Sequence, residues 1–251
     1  MKAFDEAPLR HLSHPVTLSH VAETSSTNDD LKVAARGGAP DYTLRIADRQ
    51  LAGRGRKDHS FHSEGGLYMS ILLPVREEIV PYITPIAAIA VTRALREIAG
   101  ADAYVKWVND IYVEGRKVSG ILSESVVTAA GRRYIVGIGV NLPATAESLP
   151  EEIREIAGWV AADRSTLTAR ILTHLFSLLD EGDLDLVRRE YRDYSFLIGS
   201  EVLVHQENGC REATVLGLTD TLALSVLYRD GSREDLIAGE VSIRLFDGIS
   251  S

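Results

Sequence analysis

Two stretches of this chain combine residue types that can handle anions. Residues 50–61, QLAGRGRKDHSF, set Gly53, Arg54, Gly55, Arg56 and Lys57 in a row. Guanidinium forks match the paired oxygens of a phosphate or carboxylate, and glycines let a backbone approach a ligand. The same composition suits a plain flexible loop or an Arg/Gly contact with nucleic acid. Residues 105–124, VKWVNDIYVEGRKVSGILSE, place Lys106 and the Asn109-Asp110 pair at a break between two strand-like runs. A lysine is a compact cation able to neutralise a carboxylate and a phosphate as they approach each other. Asn-Asp at such a break is by itself a turn signal. Gly120, and Gly137 in GIGVN (137–141), put the smallest residue inside strands where bulky ones would normally fill a sheet. A strand glycine marks either a bulge or the close approach of a ligand or another backbone.

The bulk numbers narrow these readings. The chain has 251 residues and a formal net charge of −9. An acidic protein is poorly suited to broad nucleic-acid or anionic-membrane binding, which weakens the nucleic-acid reading of the Arg/Gly run. Hydrophobic residues make up 45% and charged residues 25%, ordinary values for a globular protein that buries its core without metal or disulfide staples. Cys210 is the single cysteine, so no intrachain disulfide can form and a reducing, cytoplasmic setting is expected. The N-terminal MKAFDEAPLRHLSHP lacks the apolar core of a signal peptide, and no later stretch is expected to be long and apolar enough to span a bilayer. His11, His14 and His20 lie close in sequence without paired cysteines or an HExxH run, so no metal site is expected there.

The elements that must position these residues follow from periodicity. Residues 16–23 alternate as a strand. Ser25 to Asp30 reads as a helix start, with hydroxyl and amide caps and acids in the first turn, and Gly37-Gly38 ends that helix. Residues 43–50 form a strand entering the Arg/Gly loop, and 66–74 form another. An Ala-rich, largely buried helix is predicted over 83–98, closed by Gly100. Three β segments follow, at 103–108, at 111–113 with 117–125, and at 134–141, with hairpin connections at 114–116 and 129–132. Strands joined by short turns are antiparallel, so the fold class is α+β: a mixed, largely antiparallel sheet with flanking helices. Residues 143–158 read as loop and then weak helix. An amphipathic helix starts at Ser165 or Thr166, with Leu167, Ile171, Leu175 and Leu178 on one side, and a further helix covers 183–194. Short strands at 201–204, 213–216, 223–227 and 241–244 predict a small β-barrel. The boundary falls near 196–199, giving domains of 1–197 and 198–251.

Read in order, five groups of residues resemble the biotin protein ligase family. They are Ser26-Thr27-Asn28; Gln50 with Gly53-Arg54-Gly55-Arg56; Lys106-Trp107 with Asn109-Asp110-Ile111; Gly120-Ile121-Leu122 with Glu124; and Gly137-Ile138-Gly139-Val140-Asn141. The resemblance is strongest over 20–142 and continues through Arg164-Ser165-Thr166-Leu167 to Gly239-Glu240-Val241-Ser242. Val108 stands where the family usually has proline. Lys57-Asp58-His59-Ser60-Phe61 replaces its Arg-Gly-Arg and tryptophan, and Ser63-Glu64 its Ser-Pro.

The resemblance implies a catalytic domain like that of class II aminoacyl-tRNA synthetases, followed by an SH3-like barrel. It implies activation of biotin with ATP and Mg²⁺ to biotinyl-5′-AMP, then transfer to a lysine of a biotin carboxyl carrier domain. By the same resemblance Ser26, Thr27, Asn28 and Gln50 hold the ureido ring, while Gly53, Gly55, Gly120 and Gly137 line the biotin side. Lys106 would lie beside the reacting carboxylate and phosphate, with Arg54 and Arg56 closing the loop as a lid over both ligands. Phe61, Asn109 and Asn141 fall on the adenylate side, and residues 143–152 would order over it. About fifteen residues precede the first strand, so the winged-helix DNA-binding domain of many bacterial members, and its repressor function, are expected to be absent. A homodimer through edge strands is compatible with the fold. Two rival readings remain: a lipoate or octanoate ligase, which Arg54-Gly55-Arg56 with Lys106-Trp107 disfavours, and a non-catalytic biotin or adenylate sensor, which the departures around Asp58 favour.

Overall fold

The computed structural model describes residues 4–53, 55, 64–206, 209–237 and 240–243. Strands β1 (Thr17–Thr24), β2 (Thr43–Gln50), β3 (Glu64–Leu73), β4 (Ala103–Lys106), β5 (Asp110–Val113), β6 (Arg116–Thr128) and β7 (Gly131–Val140) form one sheet. Their spatial order is β1-β2-β3-β7-β6-β5-β4. Helix α1 (Thr27–Arg36) carries the chain back between β1 and β2, which therefore run parallel. The remaining pairs are antiparallel, as the short connections require. This is the α+β architecture expected from the sequence.

One face of the sheet is covered by α2 (Ile83–Ala99), α4 (Arg164–Glu181) and α5 (Leu184–Tyr194). On α2, Ile86, Ile89, Ala90 and Leu95 are fully buried. Arg93, on the same helix, forms a two-pronged contact with Glu190 of α5. Gly100 takes a left-handed conformation (φ 59°) to end α2, a turn that costs a glycine little. The expectation that no segment has membrane-spanning length and apolarity is corrected: Glu77–Ala99 has both. Its apolarity serves the protein interior, since 72% of the qualifying window is buried within the fold.

The opposite face carries α1, whose Leu31 and Ala35 pack on Leu72, Val126 and Ile135. A short helix α3 (Pro143–Ser148) closes on the start of β3. The sequence placed loop there and helix later. Pro143 presets the first helical turn, and the Leu142 N–H donates to Thr145 Oγ1. The approach is close enough that a side chain on Gly65 (φ +80°) would meet the Ala144 backbone at 2.6 Å.

Strands β8 (Glu201–Gln206), β9 (Gly209–Leu218), β10 (Leu224–Tyr228), β11 (Arg233–Leu236) and β12 (Glu240–Ile243) make a separate antiparallel sheet, ordered β11-β10-β9-β8-β12. Strand β11 escapes a hydrophobic reading because Arg233, Glu234 and Asp235 are exposed and only Leu236 is buried. The two sheets share one apolar cluster. Polar links join them too: Trp107 Nε1 donates to Leu222 O (2.9 Å), and Tyr82 Oη and Arg188 Nε donate to Asp220 O (3.0 and 2.8 Å). Trp107, read within the site motif, thus serves as a bolt between the sheets.

Candidate active site

Residues directly opposite one another across strands project to the same face. One such row runs Tyr68–Gly139–Gly120–Asp110–Lys106, across β3, β7, β6, β5 and β4. The neighbouring row runs Ser70–Gly137–Leu122. The start of α1 lies over the second row. In the first row two adjacent strands contribute only hydrogen, so the sheet there is a trough one side chain deep. Its walls are the start of α1 and the end of β2 on one side, and Asp110 and Lys106 on the other.

The α1 wall is a hydrogen-bond network running from β2 to β6. Ser26, Thr27 and Asn28 are each only 4% exposed. The sequence suggested a side-chain cap for α1, but Ser26 stands at the cap position without making that bond. The orphan first-turn N–H of Thr27 goes instead to Gln50 Oε1 on β2, at 2.9 Å. The Thr27 hydroxyl lies 3.0 Å from the same oxygen and 2.7 Å from Ser70 Oγ. Ser70 Oγ donates to Asn28 Oδ1 at 2.6 Å. The Asn28 amide then donates to Leu122 O (3.2 Å) and Glu124 Oε2 (2.8 Å). Lys32 Nζ holds the other Glu124 oxygen at 2.7 Å. Ser26, Thr27, Asn28 and Gln50, predicted as one group, are therefore brought together. Gly137 lies beneath Asn28, and a side chain there would collide with it.

The opposite wall is cationic. Lys106 pairs in register with Asp110, and its ammonium lies 5.6 Å from the centre of the Tyr112 ring. Lys117 Nζ stands 2.7 Å from Asp110 Oδ1. Lys106 and Lys117 thus bring two ammonium groups to the wall that carries Asp110. Burial, and next the Asp110 charge, push the Tyr112 phenol up to about 12, so it is neutral at physiological pH. Tyr68, at the far end of the row, is also pushed up to about 12 by burial, and its Oη accepts the Gly66 N–H.

The other expected site residues fall as follows. Gly120 forms the trough floor. Asn109 Nδ2 donates to Ile121 O (2.8 Å) while the Ile121 N–H donates back to Asn109 O (3.0 Å), pinning the β4–β5 break onto β6. Asn141 is nearly buried, and its amide donates to Gly158 O at 2.9 Å. Both asparagines therefore shape the backbone around the trough. Gly53 is buried and Gly55 half-buried beyond the end of β2. Arg54, Arg56 and Phe61, and with them the lid expected of the Arg/Gly loop, lie outside the described residues.

Several residues of the site were not singled out from the sequence. Ser70 is one; its signal is a lone hydroxyl within the apolar run LYMSILL. Lys117 is another: it opposes Tyr112 in register and reaches Asp110 with its ammonium, while Gly139 of the GIGVN motif takes its place beside Gly120 through register. Among the described residues no group of three or more His, Cys, Asp or Glu could hold a metal ion. His14 and His20 instead pair with Asp180 and Asp48.

Fold and trough together define a class: an α+β domain whose mostly antiparallel sheet carries a polar wall and a lysine-bearing wall on one open face. Comparison with known proteins gives the family. The profile of the Biotin/lipoate A/B protein ligase family matches residues 21–141. The bifunctional ligase/repressor BirA of Bacillus subtilis is 30% identical over 224 residues, covering 84% of this chain and 69% of that protein. The biotin–[acetyl-CoA-carboxylase] ligase of Mycobacterium tuberculosis is 29% identical over 205 residues, 76% of each chain. The structure resembles the biotin protein ligase of Aquifex aeolicus in complex with biotin and ATP, with a TM-score of 0.75 and 28% identity over 91% of this chain and 98% of that one. It also resembles the Leishmania major biotin protein ligase in complex with biotinyl-5-AMP, at 0.63 and 26%, covering 89% and 99%. This chain belongs to the biotin protein ligases of that family.

Proposed function

We propose that this protein is an ATP-dependent biotin protein ligase that makes biotinyl-5′-AMP and transfers biotin to a lysine of a biotin carboxyl carrier domain. The observation that carries the reading is the single trough with an amide- and hydroxyl-lined wall at one side and Lys106 at the other. In the first step the biotin carboxylate oxygen attacks the α-phosphorus of ATP, and pyrophosphate leaves. Two anions must meet, so fixed positive charge matters most where negative charge is concentrated in the transition state. Lys106 supplies it beside the reacting atoms, and Lys117 keeps the Asp110 carboxylate from cancelling it. In the second step the neutral amine of the acceptor lysine attacks the anhydride carbonyl. The C–N bond forms, the C–O bond to AMP breaks, and the amine proton is released.

The ureido ring of biotin fits the α1 wall, where Ser26, Thr27, Asn28 and Gln50 offer donors and acceptors in a buried setting. Such a wall rejects analogues lacking the ureido group, because its polar atoms would be left unpaired. Gly120, with Gly53 and Gly55, gives the backbone room for the ligand. Arg54 and Arg56 would grip the phosphate side, with Phe61, Asn109 and Asn141 bordering the adenylate. Mg²⁺ bound with ATP would offset the charge of the phosphates. The five short strands after residue 200 are read as an SH3-like barrel forming a domain of 198–251, beside a catalytic domain of 1–197. The free thiol of exposed Cys210 suits a reducing cytoplasm. The test incubates the protein with ATP, Mg²⁺ and radiolabelled biotin, with and without a carrier domain, and with lipoate in parallel. Biotinyl-adenylate without carrier and labelled carrier with it are expected; label from lipoate alone would sink the reading.

A further inference from the structure

We infer that the ridge of residues 153–159, centred on the Trp159 indole and bordered by Glu151 and Glu152, is the surface on which the acceptor domain docks to deliver its lysine; this rests on the ligase reading above. Trp159 is 48% exposed, whereas Trp107 is 4% exposed and hydrogen-bonded. Tryptophan is enriched at the anchor points of interfaces, where a large rigid ring covers area at small entropic cost.

The indole is displayed on fixed backbone. The Lys117 N–H donates to Ile156 O (2.9 Å), and the Gly158 N–H donates to Lys117 O (2.8 Å). The Asn141 amide holds Gly158 O, and the Val160 N–H donates to Asn141 O at 3.1 Å. Gly158 must be small, because an added Cβ would meet Arg116 Cβ at 2.8 Å. The segment continues the sheet beside β6, with Ala157 opposite Lys117. Lys117 in turn opposes Tyr112 of β5 and reaches Asp110 in the trough. The ridge therefore lies about two strand spacings, ~10 Å, from β5.

A lysine offers its amine on a four-carbon stem, so the domain bearing it must sit over the trough mouth and hence against this ridge. Charge points the same way. The interior wall, with Lys106 and Lys117, repels an incoming ammonium. Exposed Glu151, Glu152 and Glu155 outnumber exposed Arg154 outside it, leaving a net negative charge that attracts one. Ile156, 63% exposed, adds apolar area. The partner that fits is a compact domain with an apolar patch beside its acceptor lysine. A second copy of this chain seated there would close the mouth.

The test uses Trp159→Ala and Trp159→Phe in the full chain. Single-turnover biotinyl-adenylate formation without carrier is expected to stay within about twofold of wild type, as is transfer to hydroxylamine, a nucleophile too small to touch the ridge. The kcat/KM for carrier domain is expected to fall at least tenfold in Trp159→Ala, through KM, and to recover largely in Trp159→Phe. Glu151→Gln, Glu152→Gln and Glu155→Gln combined should flatten the salt dependence of carrier kcat/KM. Normal adenylation with an unchanged carrier KM would overturn the ridge alone. Adenylation falling in parallel would place Trp159 at the nucleotide and overturn it too. No biotinyl-adenylate from wild type would overturn the ligase reading and the ridge with it.

Discussion

A Cβ on Gly137 would stand 2.2 Å from Asn28 Oδ1, so the glycine in β7 and the asparagine at the start of α1 are a matched pair. Glycine in this strand makes room first for a protein side chain. Asn28 in turn reaches Leu122 and Glu124 because nothing projects from β7 beneath it. The pair sets how α1, and with it Ser26 and Thr27, lies on the sheet. Gly137→Ala should therefore displace the wall without touching Lys106. Isothermal titration should show biotin affinity reduced by ~10-fold or more, about 1.4 kcal/mol, with ATP binding far less affected. Equal loss for both ligands would show a general collapse instead.

Lys106 should matter more to the adenylation transition state than to ground-state biotin binding. In Lys106→Met, single-turnover adenylate formation should fall about a hundredfold or more, roughly 3 kcal/mol. Biotin affinity should fall much less. Adenylation near the wild-type rate would remove Lys106 from the reaction.

Ser70 donates to Asn28 Oδ1 inside the sheet, where water is scarce. Ser70→Ala leaves that oxygen without its donor, at a cost of about 1–3 kcal/mol in urea unfolding. Biotin KM should rise as Asn28 loses its fixed orientation. Unchanged stability and KM would mean that Asn28 does not depend on Ser70.

Asp48 titrates below the usual carboxylate range. Burial pushes it up, but hydrogen bonds from His20 and Arg164, with the charge of Arg164, outweigh burial. The contacts are 2.8 Å to His20 Nε2 and 2.6 Å to Arg164 Nη1. A depressed folded pKa means that the unfolded chain holds the proton more tightly. The contribution is therefore complete above the unfolded value of about 3.9 and drains away as pH falls through the folded one. Asp48→Asn should be less stable than wild type at pH 7, and the gap should narrow below about pH 4. Denaturant titrations across that range measure it; a constant gap would sink the assignment.

Local chemistry was enough to read most elements and the poles of the trough. Strand β2 falls on residues 43–50 as expected, α2 ends at Gly100, and Ser26-Thr27-Asn28 opens α1. Each is determined by neighbours in the chain, through side-chain period, glycine's access to left-handed backbone and the acids of a first helical turn. The glycines of β6 and β7 announced a close approach, but not whose. That Gly120 lies beside Gly139, that Gly137 yields to Asn28, and that Lys117 rather than solvent faces Asp110 depend on strand register. Register joins residues far apart in sequence, and the pattern of one strand does not contain it. The same holds for β11, whose charged surface hides it, and for Trp107, whose indole partner Leu222 lies in the distant β9–β10 connection. Which residue types meet the ligand could be read along the chain; which of them share a row, a wall or a ridge was decided only when the sheet assembled, because those contacts exist only between distant segments.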